Sequence, residues 1–273
     1  VYFGTDTGKL YSFYPDGRGI WEYPTGDRIV GSPAIAADGT VIFGSTDGLL
    51  YAVEPGGAEK WRFQANGPIA ASPAIGPDGT IVFGSMSKRL FAVRADGSKL
   101  WDLESSSPIV GSPAISPHGV IYVAGADGTL AAISIKGDIL WQFDAPNSIV
   151  SSPAIGADGT VYVSVDRDGS VGKEYSGKVI ACRDEDGDGR ADRFWDYIPE
   201  VECPRGGHMV GGKFYLVHPP YLSVFEDRDG DGVETRERQA LGVGNHDASS
   251  RTARLARETG VAPGAGADQG KVV

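Results

Sequence analysis

Residues 184–192 read Asp-Glu-Asp-Gly-Asp-Gly-Arg-Ala-Asp. Asp184, Asp186 and Asp188 take positions 1, 3 and 5 of a Ca2+-binding loop, Gly189 takes position 6 and Asp192 position 9. In such a loop alternate residues point inward, carboxylate oxygens suit a hard cation, and the residue at position 7, here Arg190, offers its backbone carbonyl. Two features depart from the helix–loop–helix type. Position 12 is Trp195 rather than a bidentate glutamate, and the flanking residues read as strands. A cation here would be structural, neutralising carboxylates that otherwise repel one another. The competing reading of the same residues is a solvated acidic turn. A second loop places Asp227, Asp229 and Asp231 at positions 1, 3 and 5, Gly232 at position 6 and Val233 at position 7. Its ninth position is Thr235 and its twelfth Arg238, with Glu234 one place from the usual ninth ligand.

Other chemistry is sparse. Arg205, His208 and His218 form a candidate cluster, against a plainer reading in which His208 starts a strand and His218 ends one. There is no G-x-S-x-G, no HExxH and no phosphate loop. Cys182 and Cys203 lie 21 residues apart, a spacing that admits one disulfide or two separate half-buried thiols. The net charge of −11 argues against nucleic acid and anionic membrane surfaces, which are held through Lys and Arg. No run approaches the ~20 apolar residues of a membrane helix.

The loops sit in a chain organised by repetition. Ser-Pro-Ala-Ile begins at residues 32, 72, 112 and 152, a step of 40, and Trp21, Trp61, Trp101 and Trp141 keep the same step. A period near 40 points to a propeller, solenoid or array. Within the third copy, Ser112–Ile115, Val120–Ala124, Thr129–Ile133 and Ile139–Phe143 read as strands, separated by Gly- and Asp-rich turns. Four short antiparallel strands per repeat describe one blade of a β-propeller, whose stacking buries faces that a lone blade would expose. Asp47-Gly48, Asp127-Gly128 and Asp158-Gly159 read as hairpin turns.

Val1 aligns with Val41, so the first copy lacks its first strand and the chain reads as a fragment or processed form. After residue 165 a polar, glycine-rich insertion runs to Gly177. The acidic loop then stands where Ala95–Ser98 makes a short turn in an earlier copy, and the two acidic loops begin 43 residues apart. Residues 241–273 contain no Phe, Trp or Tyr and read as disordered, with a short helix expected over 251–258.

The recurring SPAI, DGT, (V/I)-(Y/F/I)-(V/F)-G-S, DG-x-L-(Y/F)-A-V and W-x-F elements of residues 1–165 resemble PQQ-like β-propeller repeats. The resemblance implies blades locked by the periodic tryptophan and an extracytoplasmic, usually bacterial, setting. That superfamily holds quinone-dependent alcohol and glucose dehydrogenases. It also holds non-catalytic members, among them a lipoprotein of outer-membrane protein assembly. Residues 179–241, with ACRDEDGDGRADRFW, CPRGGHMVGGKFYLVHPPYL and VFEDRDGDG, resemble the propeller of membrane-bound dehydrogenase-type proteins of planctomycete-type bacteria. The first acidic loop is similar to the calcium hairpins of integrin-type propellers.

The expected fold is therefore an all-β propeller of about six four-stranded blades over residues 1–240, the first truncated, in a ring that is closed or incomplete. The expected function is a non-catalytic extracytoplasmic scaffold that binds protein or carbohydrate and carries structural Ca2+. PQQ itself is not expected, because the quinone alcohol dehydrogenases carry adjacent cysteines and these two are 21 residues apart. The alternative is the partial propeller of a quinoprotein dehydrogenase. A channel lined by convergent Arg, His and carboxylate groups would favour the enzyme. One filled by small side chains of the SPAI strands would favour the scaffold.

Overall fold

A computed structural model describes residues 1–149, 151–166, 177–186, 188, 190–201, 204–218, 221–227 and 236–242. These residues form six antiparallel sheets, each with its strands in chain order. Blade one has three strands, β1 (Tyr2–Gly4), β2 (Lys9–Phe13) and β3 (Gly19–Pro24). Blade two comprises β4 (Ala34–Ile35), β5 (Val41–Gly44), β6 (Leu49–Val53) and β7 (Glu59–Gln64). Blade three comprises β8 (Ala74–Ile75), β9 (Ile81–Ser85), β10 (Arg89–Val93) and β11 (Lys99–Glu104). Blade four comprises β12 (Ala114–Ile115), β13 (Ile121–Ala124), β14 (Thr129–Ile133) and β15 (Ile139–Asp144). Blade five comprises β16 (Ala154–Ile155), β17 (Val161–Asp166), β18 (Gly177–Arg183) and β19 (Arg193–Val201). Blade six comprises β20 (Gly206–Val210), β21 (Lys213–His218), β22 (Tyr221–Glu226) and β23 (Arg236–Gly242).

The strand chemistry explains this order. In blades two to five the second and third strands are rich in β-branched, aromatic and other apolar residues, as at Val41-Ile42-Phe43 and Leu49-Leu50-Tyr51, and are largely buried on both faces. Fourth strands alternate exposed and half-buried residues, as at β7, because only one face meets a neighbour. The first strands are shorter than the Ser-to-Ile segments expected from the sequence. Pro113 has no N–H to give the ladder, and the Ser112 N–H donates to Ser152 Oγ of the next blade at 2.9 Å. Only Ala114 and Ile115 pair with β13.

Among the described residues the core is divided into clusters between blades. Each apolar cluster combines one face of a blade with the opposing face of the next. Ile42, Leu50 and Ala52 of blade two meet Ile81, Phe83, Phe91 and Val93 of blade three. Val82, Leu90 and Ala92 of blade three then meet Ile121, Val123 and Ile133 of blade four. Blades four and five share Leu130, Ala132, Val163, Ile180 and Cys182. Burial pushes the Cys182 thiol up to about 12. Cys182 is thus fully buried rather than half-buried, and Cys203 lies outside the described residues.

The same irregularity recurs in blades one to four. The third–fourth strand register slips by one residue between Ser12 and Phe13, Ala52 and Val53, Ala92 and Val93, and Ala132 and Ile133. The slip falls directly beside the residue paired with Trp21, Trp61, Trp101 or Trp141. A bulge adds local twist and re-aims the side chain next to it.

Candidate functional site

The acidic loop joins β18 to β19. Its neck is closed by the Asp192 N–H, which donates to the Arg183 carbonyl at 2.9 Å. The Asp192 carboxylate then accepts from the backbone N–H groups of Glu185 at 2.7 Å and Asp186 at 3.3 Å. Asp186 accepts from the Asp188 N–H at 3.0 Å, and Asp188 from the Arg190 N–H at 2.7 Å. Short aspartate side chains capping the backbone two residues on are what make such a loop turn tightly. The result gathers three carboxylates. Asp184, Asp186 and Asp188 each present an oxygen within 4.8 Å of the others, Asp184 half-buried and the other two exposed.

Two oxygens held ~2.3–2.6 Å from one Ca2+ lie no more than about 5 Å apart. The spacing of the three aspartates and their hard oxygen donors therefore fit such a cation. Asp192, assigned by its position to the ligand set, is engaged in holding the loop backbone. Arg190 is exposed, with its N–H on Asp188. Of the second loop, Asp227 follows β22 and is half-buried; Asp229, Asp231 and Val233 lie outside the described residues.

The loop also alters how blades four and five meet. Between earlier blades, the outer-strand tryptophan reaches the next blade's third–fourth turn. The Nε1–H of Trp21 donates to the Pro55 carbonyl at 2.8 Å, that of Trp61 to Ala95 at 2.8 Å, and that of Trp101 to Ile135 at 2.9 Å. In each turn a positive-φ glycine lies under the indole. A Cβ at Gly97 would stand 2.7 Å from Trp61 Cδ2. Blade five has the acidic loop in place of that turn. Trp141 meets Phe194 edge-on at 5.8 Å, and Phe143 stacks on Phe194 at 4.4 Å. The role of Phe194 was legible only as an aromatic immediately before Trp195.

At the inner edge, the first strands of successive blades converge through serine. Ser32 N–H donates to Ser72 Oγ at 2.8 Å, Ser72 N–H to Ser112 Oγ at 2.9 Å, and Ser112 N–H to Ser152 Oγ at 2.9 Å. The approach is close enough that a Cβ at Gly111 would stand 2.8 Å from the Ser151 carbonyl oxygen. Neither this relay nor its donor direction could be read from the sequence.

The structure does not bring His208 and His218 together. His208 lies mid-strand on β20 opposite Tyr215 and is exposed. His218 ends β21 on the other face, buried, with Nε2 2.7 Å from Ser223 Oγ. The Asp-Gly pairs do form turns, with Gly48, Gly128 and Gly159 at positive φ. Asp47 also reaches the preceding blade, where its carboxylate accepts from the Gly26 N–H at 2.8 Å. No helix among the described residues is long and apolar enough to cross a membrane.

Four-stranded antiparallel sheets in chain order, stacked face to face and joined at their first strands, define a β-propeller. The family model described as outer membrane protein assembly factor BamB matches residues 46–197, more than half of the sequence, and the chain belongs to that family. The crystal structure of BamB from Moraxella catarrhalis superposes with a TM-score of 0.65 at 17% identity, covering 88% of this chain and 73% of that one. At that identity the likeness is one of fold. A search of curated proteins returned no match.

Proposed function

We propose that this chain is a non-catalytic, extracytoplasmic propeller scaffold that binds a protein or carbohydrate partner on its face and holds a structural Ca2+ in blade five. The serine relay carries the reading. Where a cofactor enzyme needs convergent acid, base and cationic groups, the first strands here bring Ser32, Ser72, Ser112 and Ser152 together. Membership of a family described by an assembly factor supports protein binding as the task.

The calcium proposal rests on Asp184, Asp186 and Asp188. When bound, the ion would supply positive charge to three clustered carboxylates and no redox or acid–base chemistry. Its effect would pass to the blade contact, because the loop leads directly into Arg193, Phe194 and Trp195. The Arg193 guanidinium lies 4.8 Å over the Trp195 ring, and Phe194 is the surface on which Phe143 stacks.

Photoreactive residues test the scaffold reading. The β9–β10 turn carries Met86, 46% exposed, and the β14–β15 turn leads into Ile139, 60% exposed. The two turns lie at opposite ends of blade strands. Crosslinking in a bacterial envelope is expected to give an adduct of discrete mass from one position and not the other. Equal smears from both positions, or no adduct from either, would contradict a scaffold that presents one face.

A further inference from the structure

The contact between blades three and four departs from the repeat at several places that meet in one gap. In the two contacts before it, the same places are filled by three rings. Tyr23 packs edge-on against Phe43 and Tyr51 at 6.1 and 5.7 Å, and Phe63 against Phe83 and Phe91 at 5.9 and 5.6 Å. Forty residues on from Phe63, Phe83 and Phe91 stand Leu103, Val123 and Ala131. Val123 still pairs with Ala131, as Phe83 does with Phe91. Closer packing does not recover the lost ring volume. A gap of about 90 Å³ remains, lined by these three residues and by Leu90, Ile109 and Ile133. That is far above the ~10–15 Å³ that one water needs. The gap also reaches solvent. Tyr51 and Phe91 are 4% and 3% exposed, whereas the smaller Ala131 is only half-buried.

The rim of the gap has lost its charge as well. The outer flanks of the first three blades carry ion pairs at fixed offsets. Lys9 holds Glu22 at 2.8 Å, Arg62 lies 3.7 Å from Glu59, and Asp102 pairs with both Arg89 and Lys99. Forty residues on from Arg89, Lys99 and Asp102 stand Thr129, Ile139 and Gln142, and all three line the gap. Ile139 is 60% exposed. Its counterpart Glu59 accepts the Tyr23 hydroxyl, so a ring seated between two blades reaches the residue at this place. Rings and charges are thus exchanged together for small and neutral side chains on one patch, which leaves a ring-sized space with an apolar, uncharged mouth.

We propose that this gap seats an aromatic side chain of a protein partner, an inference that rests on the scaffold reading above and gives the partner's anchor its chemistry. The ring would lie against Leu103, Val123 and Ala131, in the volume that Phe63, Phe83 and Phe91 fill one contact earlier. A side chain fits the patch better than a free aromatic molecule. A free ring would fill the gap and leave Ile139 in water, whereas a side chain brings its own protein surface over Ile139. An aromatic anchor in a desolvated pocket, ringed by contacts that exclude water, is how protein interfaces concentrate their binding energy. The neutral rim of Thr129 and Gln142 asks for no charged neighbour on that partner.

N-acetyl-phenylalaninamide, a phenylalanine side chain with neutral ends, is the probe. It is titrated into methyl-labelled protein and followed by NMR. The Val123 methyl signals are expected to shift saturably, with N-acetyl-leucinamide binding roughly tenfold more weakly or worse. Ala131→Phe and Leu103→Phe each put a ring back from one side of the gap. Either should abolish the Val123 response and raise Tm by about 2–4 °C, as filling a gap does. Equal shifts with both amides, no shift with either, or shifts that survive both variants would overturn the proposal. So would both variants melting below the parent, since the space would then not hold a ring. In the envelope, a photoreactive residue at position 139 should give the partner adduct, and Ala131→Phe should remove it. An adduct from position 86 alone, or one from position 139 that survives Ala131→Phe, would overturn the pocket and leave the scaffold reading standing. No adduct from either position would count against the scaffold, and the amide titration would still decide the pocket.

Discussion

Trp101→Ala is expected to cost ~3–5 kcal/mol, toward the lower end because the indole is half-buried. Three losses combine. The ring leaves its seat over Gly137, where a Cβ would stand only 3.0 Å from Trp101 Cγ. Its apolar contact with the cluster joining blades three and four is lost. The Ile135 carbonyl, which accepts the indole N–H at 2.9 Å, loses that donor. Trp101→Phe separates these effects. It keeps a ring over Gly137 and deletes the hydrogen bond, so its cost should be nearer ~1–2 kcal/mol. Denaturant unfolding monitored by far-UV circular dichroism measures both. A loss under ~1 kcal/mol for the alanine variant would show that the periodic tryptophans decorate the surface rather than lock blades.

Calcium is expected to stabilise the protein by ~2.7 kcal/mol when its free concentration is one hundred times Kd, a rise of roughly 5–11 °C in Tm for a chain of this size. EDTA should reverse the rise. Asp186→Ala should abolish it, because one of three converging carboxylates is gone. Two variants divide metal binding from loop folding. In EDTA, Asp186→Asn should lie within ~0.5 kcal/mol of the parent, since its amide oxygen still accepts the Asp188 N–H and one repelling charge is gone. Asp192→Ala should cost ~1–2 kcal/mol even in EDTA, because its carboxylate accepts the Glu185 and Asp186 N–H groups. Identical melts with and without Ca2+ would refute the metal assignment.

The legible part of the molecule was its period. Four Ser-Pro-Ala-Ile segments and four tryptophans at a step of 40 marked the regular blades, their strand order and the common offset of the Trp21, Trp61 and Trp101 contacts, because repetition leaves each local choice to be read several times. What lay beyond the sequence was direction. The spacing could not say that Ser112 gives its N–H to Ser152, nor that proline would cut the first strand to Ala114 and Ile115. Nor could it divide the acidic residues by task. Position nine of the loop suggested Asp192 as a ligand, but its carboxylate meets the N–H groups of Glu185 and Asp186 before any ion is considered. Phe194 gave no periodic signal because it occurs once, where the acidic loop replaces the turn that elsewhere seats a tryptophan.

The scaffold reading is tested most directly by offering the protein the cofactor of the alternative. Purified chain in excess Ca2+ is titrated with PQQ by calorimetry, and the mixture is then supplied with a primary alcohol or glucose and an electron-accepting dye. A scaffold predicts no saturable PQQ binding and no dye reduction above that of free PQQ. Stoichiometric binding accompanied by substrate-dependent dye reduction would contradict it.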